Sequence, residues 1–238
     1  MHNSRVTELL RVLEEPTSTV VVLDDGKANA LSPAMLREID AALDAALDRG
    51  RPVVLAGREG RFSAGFDLEV MMGGDPTTRM DMVFSGFEVA YRLLDLPLPV
   101  VIGCTGHAIA MGVFLLLTGD RRIGAAGEFR IGANETALGI VMPQFAIELV
   151  RGRLTPATAD RALLTADFFG PEAAAEAGFL DEVVPADEVI ARAVATADRL
   201  AGYDAGVYAE TKRRVRGPWL ATLREAIDVD AADQGPRR

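Results

Sequence analysis

The chain has 238 residues, 49% of them hydrophobic and 25% charged, which suits one soluble globular domain with a full core and room for a helical appendage. Its net charge of −10 leaves no basic stripe to displace condensed counterions, so nucleic acid is excluded as a partner, while an anionic small ligand held by local Arg and N–H groups is not. One cysteine, Cys104, and two histidines, His2 and His107, exclude a disulfide framework and a zinc cluster. The opening MHNSRVTELL lacks the basic head and apolar run of a signal peptide, and no stretch reaches the ~18 apolar residues that span a bilayer. The expected setting is the reducing cytoplasm.

Residues 6–14 and 17–23 are rich in apolar and β-branched side chains and meet at Glu15-Pro16, the pattern of a hairpin. After the loop DDGKANAL, Ser32-Pro33 starts a helix, with a hydroxyl cap followed by proline at the first helical position. Leu36, Ile39, Leu43 and Leu47 recur on one face of it, and Arg49-Gly50 closes it. Residues 52–56 form a short buried strand, and RFSAGFDL ends the next one in a tight glycine turn. The Met- and Gly-rich stretch 69–78, broken by Pro76, is expected to be a mobile connection. A helix over 80–94 then carries Met80, Val83, Phe84, Phe87 and Tyr91 as one stripe, either packed on the core or lining a flexible apolar chain.

The centre of the chain reads strand (100–104), Gly-rich small-residue turn (106–112), apolar helix (113–118), strand (121–125), strand (128–131) and a loop carrying Glu135. From Pro143 onward the pattern is helical. Thr155-Pro156 and Gly170-Pro171 are helix starts, and 186–200, 205–216 and 218–229 read as three further helices separated by Gly202 and Gly217, before a frayed tail at 231–238. Strand, strand, helix recurs about three times before Pro143, which points to stacked ββα turns rather than one doubly wound sheet.

Two of these turns free backbone N–H groups. The first four donors of a helix have no intrahelical acceptor, so the Gly106–Gly112 segment can present the N–H of Met111, and the RFSAGFDL turn can present those of Gly65 and Phe66. Two donors from separate turns can grip one developing oxyanion, as when the α-carbon of a thioester loses a proton; a carboxylate over that carbon, here Glu135, is the base. Taken alone, Glu135 reads better as an ordinary solvated loop carboxylate than as a base. Asp67 reads as a helix cap, Asp120 as closing the end of the 113–118 helix, His107 as a hydrogen-bonded structural residue and Cys104 as an inert small hydrophobe. Glu69, Asp75 and Glu88 are candidates for a second acid that spacing does not separate.

The blocks GKANALSP, RFSAGFDL, PLPVVIGCTGHAIAMG, TGDRRI, ANETALGIVMP and AAAEAGFLDEVV, in that order between about Val20 and about Arg199, resemble the crotonase superfamily, also called the enoyl-CoA hydratase/isomerase family. The resemblance implies an α/β fold, a crotonase-like spiral of ββα turns with a C-terminal helical region: a core over 1–195, and a trimerisation or lid region over 196–238. It implies a homotrimer or dimer of trimers acting on an acyl-CoA thioester, with coenzyme A as part of the substrate and no separate cofactor. On this resemblance the oxyanion N–H groups fall on Phe66 and on Met111, which stands where the family carries glycine. The later catalytic glutamate falls on Glu135 and the earlier one on Phe114, so only one is present. Coenzyme A would lie along Lys27, Ala28 and Ala30 and along Ala64, Gly65, Phe66, Asp67 and Leu68, beside Phe114. Lys27, one of only two lysines, either meets a phosphate or is a solvated loop residue, and Lys212-Arg213-Arg214 either joins it or coats a helix. The single glutamate resembles the enoyl-CoA isomerase branch, which moves a double bond from C3 to C2. The alternatives are an enoyl-CoA hydratase of fatty-acid β-oxidation with a degenerate second acid, and a non-catalytic acyl-CoA binder.

Overall fold

Three apolar runs, β3 (Thr19–Leu23), β4 (Val53–Gly57) and β6 (Val100–Cys104), are buried at every position, as strands covered on both faces must be. In the computed structural model, which describes residues 4–73 and 75–233, they pair in parallel at the centre of a seven-stranded sheet. β8 (Arg121–Ala125) and β10 (Glu182–Val184) extend it in parallel, and β2 (Leu10–Glu14) and β1 (Ser4–Val6) extend its other side antiparallel. A second sheet of three parallel strands holds β5 (Gly60–Ser63), β7 (Gly106–Ile109) and β9 (Ile131–Gly132).

Each strand of the small sheet directly follows one of the large sheet: β4 then β5, β6 then β7, β8 then β9. The helices complete each turn: α2 (Leu68–Gly73) and α3 (Pro76–Asp95) after β5, α4 (Met111–Leu116) after β7, and a 3-10 turn at Thr136–Leu138 followed by α5 (Gln144–Arg151) after β9. This is the expected α/β spiral of ββα turns. Side chains alternate between the faces of the large sheet. Leu23, Leu55, Val100 and Ile102 join the main core with α1 (Pro33–Arg49) and α3, while Val20, Val22, Val54, Val101 and Ile123 pack against α8 (Val189–Ala201).

The hairpin of residues 6–23 is present, but its first arm is split, because the Thr7 hydroxyl accepts from the N–H groups of Leu9 and Leu10 and turns the chain between β1 and β2. Ser32 caps α1 by accepting from Met35 N–H. The stretch expected to be a mobile connection is helical on both sides of Gly74, which lies outside the described residues. Asp67 caps α2 through Glu69 N–H at 2.8 Å, and Asp75, followed by Pro76, caps α3 through the N–H groups of Thr77 and Thr78. The turn expected over 106–112 is strand β7 running into α4, and the strand expected over 128–131 shrinks to β9.

Beyond α5 come α6 (Pro156–Leu164), α7 (Pro171–Ala177), α8 and α9 (Ala205–Ala232). The two helices expected either side of Gly217 are one, since α9 runs through Pro218. An interior proline costs about 3 kcal/mol, but contacts on both sides of it hold a single axis. Before it, Arg216 donates to Leu94 O; after it, the Trp219 indole donates to Glu148 O, and Leu220, Leu223, Ala226 and Ile227 are buried. Residues 195 and 196 fall inside α8, whose Val189, Ala193 and Ala197 cover the large sheet. Of the tail expected to fray, 234–238 lie outside the described residues.

Asp120 does not close α4, as expected from sequence. It accepts from Val100 N–H, Tyr208 OH, Lys212 Nζ at 2.8 Å and Arg216 at 2.6 Å, and so fastens α9 to the start of β6. Arg153 closes α4 instead, through Leu117 O, Thr118 O and Gly119 O. Burial pulls the Lys212 ammonium down to about 8, assisted by Arg216 and Arg153, and Asp120 holds it up against them. Lys212 is therefore unavailable to a phosphate, and Arg213 and Arg214 pair with Glu210. Replacing Asp120 with Ala would strand two buried cations, so a loss of about 3–5 kcal/mol is expected, read as a lower urea midpoint.

Candidate active site

The loop DDGKANAL is built around two side chains. Asn29, fully buried at φ 52°, directs its amide hydrogens to Leu23 O, Arg61 O and Phe62 O, tying the end of β3 to β5. Burial tends to raise the Asp25 carboxyl, but N–H groups of Asn29, Ala30 and Lys27 outweigh it and hold Asp25 below the usual carboxylate range, so it stays an acceptor that shapes the loop. Ser63 connects this loop to the first turn: its hydroxyl donates to Asn29 O at 2.8 Å and accepts from Gly65 N–H at 3.2 Å.

Phe66 pairs with Leu31 in a parallel bridge that uses the groups on either side of it. Leu31 N–H donates to Gly65 O at 2.8 Å, and Asp67 N–H donates to Leu31 O at 3.4 Å. Successive groups of an extended chain alternate in direction, so the Phe66 N–H points away from Leu31. Met111 begins α4, and its N–H has no intrahelical acceptor. Among the described residues neither N–H has an acceptor at all. The two turns are in contact: a methyl group on Gly65, at φ 91°, would lie 2.9 Å from Ala110 Cβ, 3.0 Å from Ile109 O and 3.2 Å from Met111 N.

The small parallel sheet explains why they meet. Its register aligns Ser63 with Ala108 and Ile109 with Gly132, and Ala110 N–H donates to Gly132 O. Phe66, Met111 and Glu135 each follow within three residues of the C-terminal end of one of its strands, the edge at which parallel sheets present ligand-binding groups.

Glu135 opens the 3-10 turn and is half-buried. Its Oε2 is buried and has no hydrogen-bond partner among the described residues. Burial pushes the carboxyl above its ordinary 4.5, with the N–H groups of Glu135 and Asn134 pulling the other way. A desolvated carboxylate of this kind is a stronger base than one in water.

A cavity of about 390 Å³ lies beside the first turn, lined by Lys27, Ala28, Ala30, Ala64, Phe66, Asp67 and Leu68 together with Leu9, Asp25, Ser32 and Glu69. The sequence-predicted coenzyme A residues of both loops thus surround one space, apart from Gly65. Phe114, 2% exposed within the core, does not line it, and neither do Met111 and Glu135. Of the candidate second acids, Asp75 caps α3 and Glu88 pairs with Arg224; Glu69 alone faces the cavity. His107 accepts from Arg130 N–H, and Cys104, whose thiol burial raises to about 12, donates to Gly106 O; both are structural, as expected.

A family model described as enoyl-CoA hydratase/isomerase matches residues 15–234. The chain belongs to this family. Within the crotonase superfamily, the solved structure of enoyl-CoA hydratase EchA3 from Mycobacterium ulcerans Agy99 is 42% identical with a TM-score of 0.90, over 95% of this chain and 99% of that one. An Mtb structure described as an enoyl-CoA isomerase is also 42% identical, with a TM-score of 0.89 over the same shares. Human mitochondrial enoyl-CoA delta isomerase 1 is 33% identical over 188 residues, 75% of this chain. The chain spans 62%, 50% and 64% of the human, rat and mouse isomerases that it matches.

Sequence reasoning missed Asn29 and Ser63, which lie in quoted motifs but act through backbone contacts between distant segments. The αL tolerance of asparagine was the available signal for Asn29. It also missed Ala110, which holds φ 53° and ψ −129°, a region favouring glycine. Ala110→Gly is expected to release strain and raise stability by about 1 kcal/mol, measured as a higher melting temperature.

Proposed function

We propose that the chain shifts the double bond of a 3-enoyl-CoA thioester to the 2 position, with Glu135 as the only base. The observation that carries this reading is the Glu135 carboxylate, desolvated and with one oxygen free, on the same sheet edge as two unpaired N–H groups. Glu135 takes a proton from C2, and the negative charge passes to the thioester oxygen between the Phe66 and Met111 N–H groups. The electron pair then returns through the conjugated system, C4 accepts the proton from Glu135, and the new double bond lies between C2 and C3. Each oxyanion donor is worth about 3–4 kcal/mol. The cavity along Lys27–Ala30 and Ala64–Leu68 takes the coenzyme A portion.

Hydration is the second reading, favoured by the hydratase name of the Mycobacterium ulcerans relative. Against it stands Phe114, a buried core residue where the family's first acid would be, so that a second carboxylate to hold water is missing at that position. Incubation with 2-enoyl- and 3-enoyl-CoA in heavy water separates the readings: label at carbon without a hydroxyl supports isomerisation, a hydroxylated product supports hydration, and neither leaves only a binder.

Glu135→Gln is expected to lower kcat for 3-enoyl-CoA by about 10³-fold or more while leaving acyl-CoA affinity intact; an unchanged rate would refute the assignment. Because the base must be deprotonated in the free protein, kcat/KM should fall as the pH drops through a midpoint above the ordinary 4.5, and the residual activity of the Gln variant should lack that limb.

A further inference from the structure

Glycine weakens a helix interior relative to alanine, yet Gly86 lies buried in the middle of α3, and its backbone is not among those at positive φ. Its reason is packing. A methyl group there would lie 2.5 and 2.7 Å from the Phe66 ring and 3.5 Å from Met111 Cε. These are the two residues whose N–H groups face the site. Catalysis would use only their amides, so neither requires a large side chain for hydrogen bonding, but both carry one and both seat on the same Cα.

We propose that Gly86 is a positioning residue for the oxyanion pair: a notch in α3 that receives the Phe66 ring and the Met111 thioether together and so fixes the two donors relative to each other. This rests on the acyl-CoA reading above. The surroundings determine what yields when the notch is filled. Helix α3 cannot withdraw, because Phe87 is stacked on Phe145 with ring centroids 4.7 Å apart, Arg92 binds Asp40 O of α1 at 3.1 Å, and Glu88 is paired with Arg224 of α9. The second turn has no slack either, since it already touches Gly65. The displacement falls on Phe66, and with it on the aim of its N–H.

The test uses the full chain with 2,4-hexadienoyl-CoA, whose absorbance moves to the red when hydrogen bonds polarise its carbonyl, alongside kcat and KM for 3-hexenoyl-CoA. Gly86→Ala is expected to lose most of the red shift and about 10²-fold in kcat, with KM and melting temperature close to wild type. Phe66→Leu in the Gly86→Ala background shortens the ring and is expected to recover both signals. Should Gly86→Ala alone unfold the chain, the double variant must match Phe66→Leu alone in shift and kcat. The role of Gly86 is overturned if Gly86→Ala keeps the wild-type shift and kcat, or if the folded double variant recovers neither. Absence of a red shift in wild type overturns the acyl-CoA reading itself, and this inference with it.

Discussion

The approach of Gly65 to the Ala110–Met111 turn is the contact on which the site depends. Any side chain at Gly65 would strike the second turn, and the left-handed backbone there favours glycine independently. The contact sets the distance between two loops that are separated by more than forty residues of chain. Ser63 and Asn29 then pin the first loop from behind, and the β7–β9 ladder pins the second, so two N–H groups are held without acceptors by structure on every other side.

Such an arrangement is locally unfavourable. Ala110 occupies a backbone region suited to glycine, and Glu135 keeps one oxygen buried without a partner among the described residues, each of which works against folding by about 1–3 kcal/mol. The stability that tolerates them comes from elsewhere: a large sheet buried on both faces, and a long last helix fastened at three levels. Asp120 binds its first half, Glu88 and the Tyr91 ring hold Arg224 in its second half, and Asp230 near its end accepts the N–H groups of Gln144 and Phe145, capping α5 just beyond the Glu135 loop. Helix α9 therefore stabilises the site's frame without contributing to its chemistry.

Relatives at the same identity carry the names hydratase and isomerase, so likeness alone does not choose between the two reactions. In the proposed reading Phe114 stands where a hydratase would need its first acid, and it is packed at 2% exposure in the core. The Phe66 ring and the Met111 thioether both pack against Gly86 of α3.

Much of the architecture was readable from residue patterns, because the signals are local. The Ser32-Pro33, Thr155-Pro156 and Gly170-Pro171 helix starts, the buried runs of β4, β6 and β8 and the ββα recurrence depend on neighbours a few positions apart. Asp75-Pro76 carried the same cap signal as Ser32-Pro33 but was hidden by the glycines before it. Gly217-Pro218 carried a break signal that α9 overrides, since packing on α3 and α5 outweighs one lost hydrogen bond. The sequence by itself singled out the residues that the proposed chemistry uses: the glycine turns around Phe66 and Met111 and the glutamate in ANETALG. Only the tertiary structure decided that Phe66, Met111 and Glu135 share one edge, that Asp120 belongs to α9 and that Gly86 lies beneath both donors. Those are matters of register and contact between segments far apart in the chain, which no local pattern of side chains encodes.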